Sequence, residues 1–228
     1  MQKTPRTPKT LARHQIGKCL TGIRGFDEIT GGGLPRSKTT LIFGGAGSGK
    51  TLWGLDFLIN GATDHGEPGI FMSFEETEDE LYDDVASLHL DLRGLVARKK
   101  IVLDCVRLDR GDIAEADFSL EGILVRLEHA IDSIGAKRVV LDSIESLFSG
   151  IEDAGLLRLE IKRLFRWLKE KRVTAIIVGE PGRGTSTRNG LEEYISDCIV
   201  FLDNRVREQI AVRRIRVVKY RGSAHGTN

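Results

Sequence analysis

Short apolar runs alternate with amphipathic stretches along the chain from Leu20 onward. This alternation predicts βαβ units built on a largely parallel sheet. The strand candidates are apolar on both faces, as strands buried in a parallel sheet are, and they cover 40–44, 69–74, 101–106, 138–142, 174–179 and 198–202. Apolar residues recur at helical spacing between them, which predicts helices over 51–62, 78–88, 120–134 and 156–171.

The last segment, 209–220, alternates apolar and basic residues, and this pattern predicts an antiparallel strand with one wet, positive face. Asp203, Asn204 and Arg205 predict the turn that precedes this strand. The expected fold class is therefore α/β, with a largely parallel central sheet, helices on both faces and antiparallel C-terminal strands.

Length and composition narrow the class of protein. The 228 residues suit one large domain, and the polar, basic stretch 1–18 predicts a flexible tail ahead of a single domain over 19–228. The net charge of +1 demands neither nucleic acid nor an anionic membrane as a partner. The apolar runs are too short to span a bilayer, and the N-terminus lacks the apolar region of a signal peptide. The scattered cysteines Cys19, Cys105 and Cys198 match neither a disulfide framework nor a metal site, so we expect a cytoplasmic protein.

A glycine-rich stretch between the first predicted strand and helix is typical of phosphate binding. Its residues match G-x-x-x-x-G-K-T in full, and they are Gly44, Gly45, Ala46, Gly47, Ser48, Gly49, Lys50 and Thr51. Glycines let successive backbone N–H groups turn toward phosphate oxygens, and the helix N-terminus adds a partial positive charge. Lys50 would reach the β- and γ-phosphates, and the Thr51 hydroxyl would ligate Mg²⁺. This P-loop predicts ATP and Mg²⁺ as cofactors and excludes a Rossmann site, because Lys50 stands where the third Rossmann glycine belongs.

Carboxylates follow several of the predicted strands. Asp142 ends an apolar strand and would bind the magnesium ion, although it could instead cap the next turn. Glu75 and Glu76 close another strand where open α/β sheets bind ligands, so one of them would polarise the attacking water. The alternative for this pair is a solvated acidic run that begins a helix. Glu180 either contacts the γ-phosphate or caps the chain before Pro181.

Several motifs together resemble those of RecA-like ATPases of the KaiC type. They are the run 21–35 ahead of the P-loop, Phe74-Glu75-Glu76-Thr77, the stretch 190–197, and Lys219-Tyr220-Arg221-Gly222-Ser223-Ala224-His225. The resemblance covers nearly all of the chain from Leu20 to the end. It implies a RecA-like P-loop NTPase fold similar to the first, N-terminal ATPase domain of that circadian clock family.

The resemblance also implies roles for particular residues. Those implied to bind ATP and magnesium are Lys50, Thr51 and Asp142, and those implied to activate water are Glu75 and Glu76. Members of the family stack into hexameric rings with ATP at each subunit boundary, so Lys219 and Arg221 would reach the neighbouring subunit's γ-phosphate. His225 would contact the same nucleotide. Without the resemblance, Lys219 and Arg221 would be read as a solvated strand face.

The chain differs from the KaiC pattern at two points. KaiC proteins carry two such domains in tandem, whereas this sequence holds one and ends at Asn228, so we expect a domain truncated at its C-terminus. The family is described as a serine/threonine autokinase, with the phosphorylated Ser-Thr pair in its second domain. Glu193 and Tyr194 stand at the matching positions here. Hydroxyl acceptors of the expected type are therefore missing, so the chain resembles the first, hydrolytic domain, and autokinase activity is the less favoured alternative to ATP hydrolysis.

The leading hypothesis is an oligomeric ATPase of clock or signalling type, whose hydrolysis drives a conformational cycle read by clock or signalling proteins. A DNA-dependent ATPase is a second hypothesis, because Arg183 and Arg188 lie in a glycine-rich loop. That loop has no aromatic residue on which bases could stack, so nucleic acid is not the expected partner. A nucleotide sensor without catalysis is the third, and Glu75 and Glu76 argue against it.

Overall fold

The computed structural model describes residues 16–86, 88, 90–106, 120–181, 196–207 and 210–223. The strands in this part are β1 (Lys18–Cys19), β2 (Leu34–Pro35), β3 (Thr39–Gly44), β4 (Gly69–Ser73), β5 (Ile101–Cys105), β6 (Arg138–Asp142), β7 (Thr174–Gly179), β8 (Cys198–Arg207) and β9 (Ile210–Tyr220). The helices are α1 (Phe26–Thr30), α2 (Lys50–Asp64), α3 (Glu78–Ala86), α4 (Leu92–Ala97), α5 (Leu120–Ile134), α6 (Ile144–Leu147) and α7 (Ala154–Glu170).

Seven strands form one sheet in the order β5-β4-β6-β7-β3-β8-β9. Neighbouring strands from β5 to β8 run parallel, and β9 runs antiparallel to β8. The carboxyl ends of β4, β6, β7 and β3 therefore lie together, and we call this the carboxyl side of the sheet. The opposite side, where these strands begin, is the amino side. Strands β1 and β2 pair antiparallel in a separate small sheet.

Helices cover both faces of the large sheet. On one face α2, α3 and α4 pack against strand residues such as Ile42 and Val140. On the other face α5, α6 and α7 pack against residues such as Leu41, Phe43 and Val139. Successive strand residues point to opposite faces, so each buried strand contributes to both cores. The α/β fold class with a largely parallel sheet, helices on both faces and antiparallel C-terminal strands is thus confirmed.

A buried arginine ties α2 to the beginning of β6. The Arg138 side chain has no exposed surface, and its Nη2 lies 2.6 Å from Oε2 of Glu67. Its Nη1 donates to the carbonyl oxygen of Phe57 at 2.8 Å. Arg36 forms a second ion pair with Glu67 at 2.6 Å. Burial alone would raise the pKa of Glu67, but hydrogen bonds from both arginines outweigh burial and lower that pKa.

The turn expected at Asp203, Asn204 and Arg205 is wrong, because these residues continue β8. Asp203 pairs with Arg214 and Asn204 with Arg213 of β9. The ladder to a partner strand keeps turn-forming residues extended, and a carboxylate opposite an arginine favours the pairing. The longer strand carries Asn204 to the P-loop, where its Nδ2 donates to the carbonyl oxygen of Gly47 at 3.3 Å.

The elements that the apolar pattern missed are all short, and they are α1, α4, α6, β1 and β2. Lys18, the last residue of the expected tail, belongs to β1 and pairs with Pro35. A strand of two residues shows no measurable alternation, so the pattern could not predict it. In the described part of the chain, no helix is long and apolar enough to cross a membrane.

Candidate active site

The P-loop joins the carboxyl end of β3 to the N-terminus of α2. Gly47 and Gly49 have φ angles of 69° and 90°, in the left-handed region that favours glycine. A Cβ atom built on Gly45, Gly47 or Gly49 would meet no other atom within 4 Å, so the space beside the loop is open. This open loop at a helix N-terminus fits a phosphate group, because both its backbone N–H groups and the helix dipole favour an anion.

Lys50 is the first residue of α2, and its side chain folds back onto the loop. Its Nζ donates to the carbonyl oxygen of Gly44 at 2.8 Å and to that of Gly45 at 3.2 Å. The ammonium group is therefore held against the loop that precedes it. A lysine in this position can exchange backbone carbonyls for phosphate oxygens without any movement of the helix.

Thr51 and Asp142 are brought together although 91 residues separate them in sequence. The Thr51 hydroxyl donates to Oδ2 of Asp142 at 2.8 Å. Asp142 ends β6 and is only 8% exposed. Burial raises the pKa of Asp142 to about 6, although the Thr51 hydrogen bond opposes that shift. Hydroxyl and carboxylate oxygens side by side form the donor set that Mg²⁺ prefers, so these residues fit the ion.

Glu75 lies next to Asp142 because β4 and β6 are paired, with Ser73 opposite Asp142. Its Oε1 accepts a hydrogen bond of 2.5 Å from the hydroxyl of Ser143, and the hydroxyl of Ser146 donates to the same oxygen. Ser143 caps α6, and the peptide bond that precedes it is cis. Glu75 is thus fixed by two hydroxyl donors that sequence reasoning missed. The only sequence signal for them is a Ser-x-x-Ser spacing directly after Asp142.

Glu76 differs from its neighbour in its surroundings. Its Oε2 is buried and has no hydrogen-bond partner among the described residues. Burial is the largest cause that raises the pKa of Glu76 to about 7, and the negative charge of Asp142 adds to it. A carboxyl group in this state can accept a proton close to neutral pH. Glu180, by contrast, is exposed at the end of β7, and its backbone N–H donates to Glu145 at 2.9 Å.

Lys219 and Arg221 do not join this group of residues. Tyr220, between them, pairs with Cys198, and Cys198 pairs with Thr40 near the beginning of β3. Both basic residues therefore lie toward the amino side of the sheet. Lys219 is level with Leu41, about 10 Å from Gly44 along the strand direction, and Arg221 lies beyond the level of Thr40, about 16 Å from Gly44. Several further residues named from the sequence lie outside the described part, and these are Arg183, Arg188, Glu193, Tyr194 and His225.

A cavity of about 380 Å³ opens beside the P-loop, and no sequence motif predicted it. Leu52, Trp53 and Asp56 of α2 line it, together with Leu90 and Ile215 from other segments. Trp53 is 6% exposed, and its indole N–H has no partner among the described residues. The cavity joins apolar walls from segments far apart in sequence, which explains why no local motif announced it.

Comparison with known proteins assigns the family. A family model described as "ATPase: KaiC" matches residues 19–228. The chain is 53% identical over 212 residues to "Circadian clock protein KaiC2" of a Synechocystis species, a match that covers 92% of the chain and 37% of the relative. It is 38% identical over 213 residues to "Circadian clock oscillator protein KaiC" of Parathermosynechococcus lividus, covering 92% and 39%.

The protein of the same name from Parasynechococcus marenigrum is 37% identical over 228 residues, covering 99% of the chain and 44% of the relative. The chain thus spans between 37% and 44% of the length of these three curated relatives. The family model, however, matches almost the whole chain. The P-loop, the Thr51–Asp142 pair and the glutamates beside them agree with that match, and the chain belongs to the KaiC family of ATPases.

Proposed function

We propose that this chain is a Mg²⁺-dependent ATPase domain that hydrolyses ATP at the carboxyl side of its sheet. One observation carries the proposal. The hydroxyl of Thr51, the last residue of the P-loop, is hydrogen-bonded to the strand-end carboxylate of Asp142 at 2.8 Å, with Glu75 on the neighbouring strand end. Phosphate-binding, metal-binding and water-activating groups thereby meet at one place.

In this proposal the chain holds the triphosphate mainly through its backbone. The N–H groups of the loop from Gly45 to Gly49 and the N-terminus of α2 face the phosphate oxygens, and Lys50 adds a full positive charge. Thr51 and Asp142 hold the magnesium ion, which neutralises charge on the β- and γ-phosphates when bound. The cavity beside Trp53 and Ile215 takes the nucleoside part, since it is apolar and continuous with the loop.

Glu76 is the residue that we assign to water activation, and Glu75 positions it. A general base works best when its pKa lies near the working pH, and the pKa of Glu76 is about 7. The carboxylate of Glu75 is already committed to the hydroxyls of Ser143 and Ser146. Glu75 would therefore fix the strand end, while Oε2 of Glu76 has no hydrogen-bond partner among the described residues that would compete with a water molecule.

The names of the relatives refer to circadian clocks, and we extend that association to this chain as part of the proposal. Lys219 and Arg221 lie on the amino side of the sheet, away from the P-loop of their own chain. They suit the γ-phosphate of a neighbouring copy better than their own. This placement supports a homo-oligomeric ring with ATP at its boundaries, and the names of the relatives support clock or signalling proteins as its partners.

Steady-state phosphate release tests the proposal directly. We expect Glu76→Gln to lower the release rate about a hundredfold or more, because an amide cannot accept the proton from water. Glu75→Gln should lower it less, since its amide oxygen still accepts the serine hydroxyls. Asp83→Asn, an exposed acid on α3, is the matched control and should leave the rate unchanged. Equal release by the wild type and both glutamine variants would refute catalysis.

A further inference from the structure

A second cavity, of about 340 Å³, lies on the amino side of the sheet. Thr39 at the beginning of β3, Asp197 and Arg221 form one part of its wall. Helix α7 forms the other part with three cations, and these are Lys162, Arg166 and Lys169. Four positive side chains thus surround a space bordered, among the described residues, by a single carboxylate. The strong positive charge of this cavity needs an explanation.

Five cations on α7 and at its C-cap, Lys171, differ in their partners. Arg163 and Lys171 face α5, where they form ion pairs with Glu121 and Glu128. The three cations at the cavity form no ion pair with any described residue. Their spacing of four and then three residues places them on one face of the helix, where like charges repel. The fold therefore neutralises one face of α7 and leaves the other positive.

The size and chemistry of the cavity restrict what would neutralise it. A volume of 340 Å³ lies within the usual range for small-ligand sites, so the partner is a compact group rather than a broad surface. Several cations around one small space suit a ligand with several negative charges close together. Arg166 and Arg221 offer planar forks that match phosphate oxygens, and Lys162 and Lys169 offer point charges.

We infer that this cavity, which we call the basic cavity, binds a polyphosphate group. Two sources share that chemistry: a free polyphosphate, or the triphosphate of a nucleotide held by a second copy of the chain. Only the second source rests on the proposed function. The basic cavity is separate from the P-loop of its own chain, since Thr39 and Gly44 lie at opposite ends of β3, about 16 Å apart.

The free source is tested by titrating sodium tripolyphosphate into the Lys50→Ala protein, whose P-loop is disabled, and measuring the heat of binding. Adding Lys162→Gln with Arg166→Gln should weaken binding at least about tenfold, because two charge-assisted contacts are lost. Lys99→Gln with Lys100→Gln is the matched control. It removes the same charge from exposed lysines before β5, at the far end of the sheet, and should leave affinity unchanged. Thermal unfolding checks that every variant is folded.

The second source is tested by mixing the Lys50→Ala protein with wild-type protein loaded with ATP and Mg²⁺, and measuring association by sedimentation. The polyphosphate belongs to a second copy if two results hold. Lys162→Gln with Arg166→Gln in the Lys50→Ala partner must abolish the association, and the lysine control in the same partner must leave it intact. Binding of tripolyphosphate to a protein that stays monomeric assigns it to a free ion. Either result supports the inference, even if the wild type hydrolyses nothing. The inference is overturned if neither event occurs, or if both double variants behave alike.

Discussion

Glu76 shows at the scale of a single residue that the candidate site is not built for stability. One of its carboxylate oxygens is buried without a hydrogen-bond partner among the described residues. Its pKa of about 7 means that the folded protein resists ionisation of this group. The folded state binds a proton there that the unfolded chain, with an ordinary pKa of 4.5, has already released. The contribution of Glu76 to stability therefore falls as the pH rises from about 4.5 to about 7.

This reasoning predicts that Glu76→Gln stabilises the protein at pH 8 but not at pH 5. The amide avoids the cost of ionisation, which we put on the order of 1 kcal/mol after a discount for the half-buried side chain. The melting temperature should rise by about 2–4 °C at pH 8. Thermal unfolding at both pH values measures the effect, with Asp83→Asn as the control. A gain of the same size at pH 5, or none at pH 8, contradicts the assigned environment.

Residues of the candidate site could be predicted from the sequence where the signal is local. The P-loop is a contiguous motif, and Asp142 and Glu75 are marked by their place after apolar runs. The serine hydroxyls that hold Glu75 could not be predicted, because Ser143 and Ser146 reach it only through the pairing of β4 with β6. The different environments of Glu75 and Glu76 likewise depend on burial, which adjacent residues in a sequence do not reveal.

At the scale of elements, α2 and β6 approach so closely that a glycine is required between them. A Cβ atom on Gly61 of α2 would lie 2.4 Å from Nε and 2.5 Å from Cδ of Arg138. Arg138 cannot move aside, because Glu67 and the backbone carbonyl of Phe57 both hold its guanidinium group. Gly61 therefore has a packing role that outweighs the poor helix propensity of glycine.

We predict that Gly61→Ala destabilises the protein by about 1–3 kcal/mol, although alanine is the better helix former. Gly122→Ala in α5 is the matched control, since a Cβ atom there meets nothing within 4 Å. The control should be neutral or stabilise by up to about 1 kcal/mol. Urea unfolding at neutral pH measures both free energies. Equal effects of the two substitutions would show that Arg138 does not restrict α2.

The long elements could be predicted because each carries many apolar positions in one period, as α5 does from Leu120 to Ile131. The end of β8 could not be predicted, because Asp203 and Asn204 form turns in most contexts and become strand residues only when β9 pairs with them. Elements of two to five residues, such as β1 and α1, are set by tertiary contacts rather than by their own pattern.

At the scale of the whole molecule, the two sides of the sheet carry different chemistry. The carboxyl side holds the P-loop and the acidic residues Glu75, Glu76 and Asp142, and the amino side holds Arg221 and the basic cavity. Opposite charges on opposite sides of one chain favour head-to-tail contacts between copies. Such a contact repeats from copy to copy and can close into a ring.

We therefore predict that ATP with Mg²⁺ drives association of the chain, whereas ADP or the absence of nucleotide leaves smaller species. Arg221→Ala should prevent the association because it removes a cation that the proposal assigns to the neighbouring phosphates, and Lys100→Ala should not. Size-exclusion chromatography with light scattering measures the mass in each state. If the protein stays monomeric under every condition, the proposed role of Lys219 and Arg221 at a neighbouring subunit is wrong.

The affinity for ATP with Mg²⁺, measured by equilibrium titration of the wild type and Lys50→Ala, tests the central claim most directly. The claim is that the loop from Gly44 to Thr51 binds a triphosphate, and that the metal ion of this triphosphate is held by Thr51 and Asp142. Removal of the Lys50 ammonium should weaken binding at least about tenfold, and Asp142→Asn should abolish the strengthening of binding by Mg²⁺. Undiminished affinity in Lys50→Ala, with an unchanged Mg²⁺ dependence in Asp142→Asn, would contradict the account.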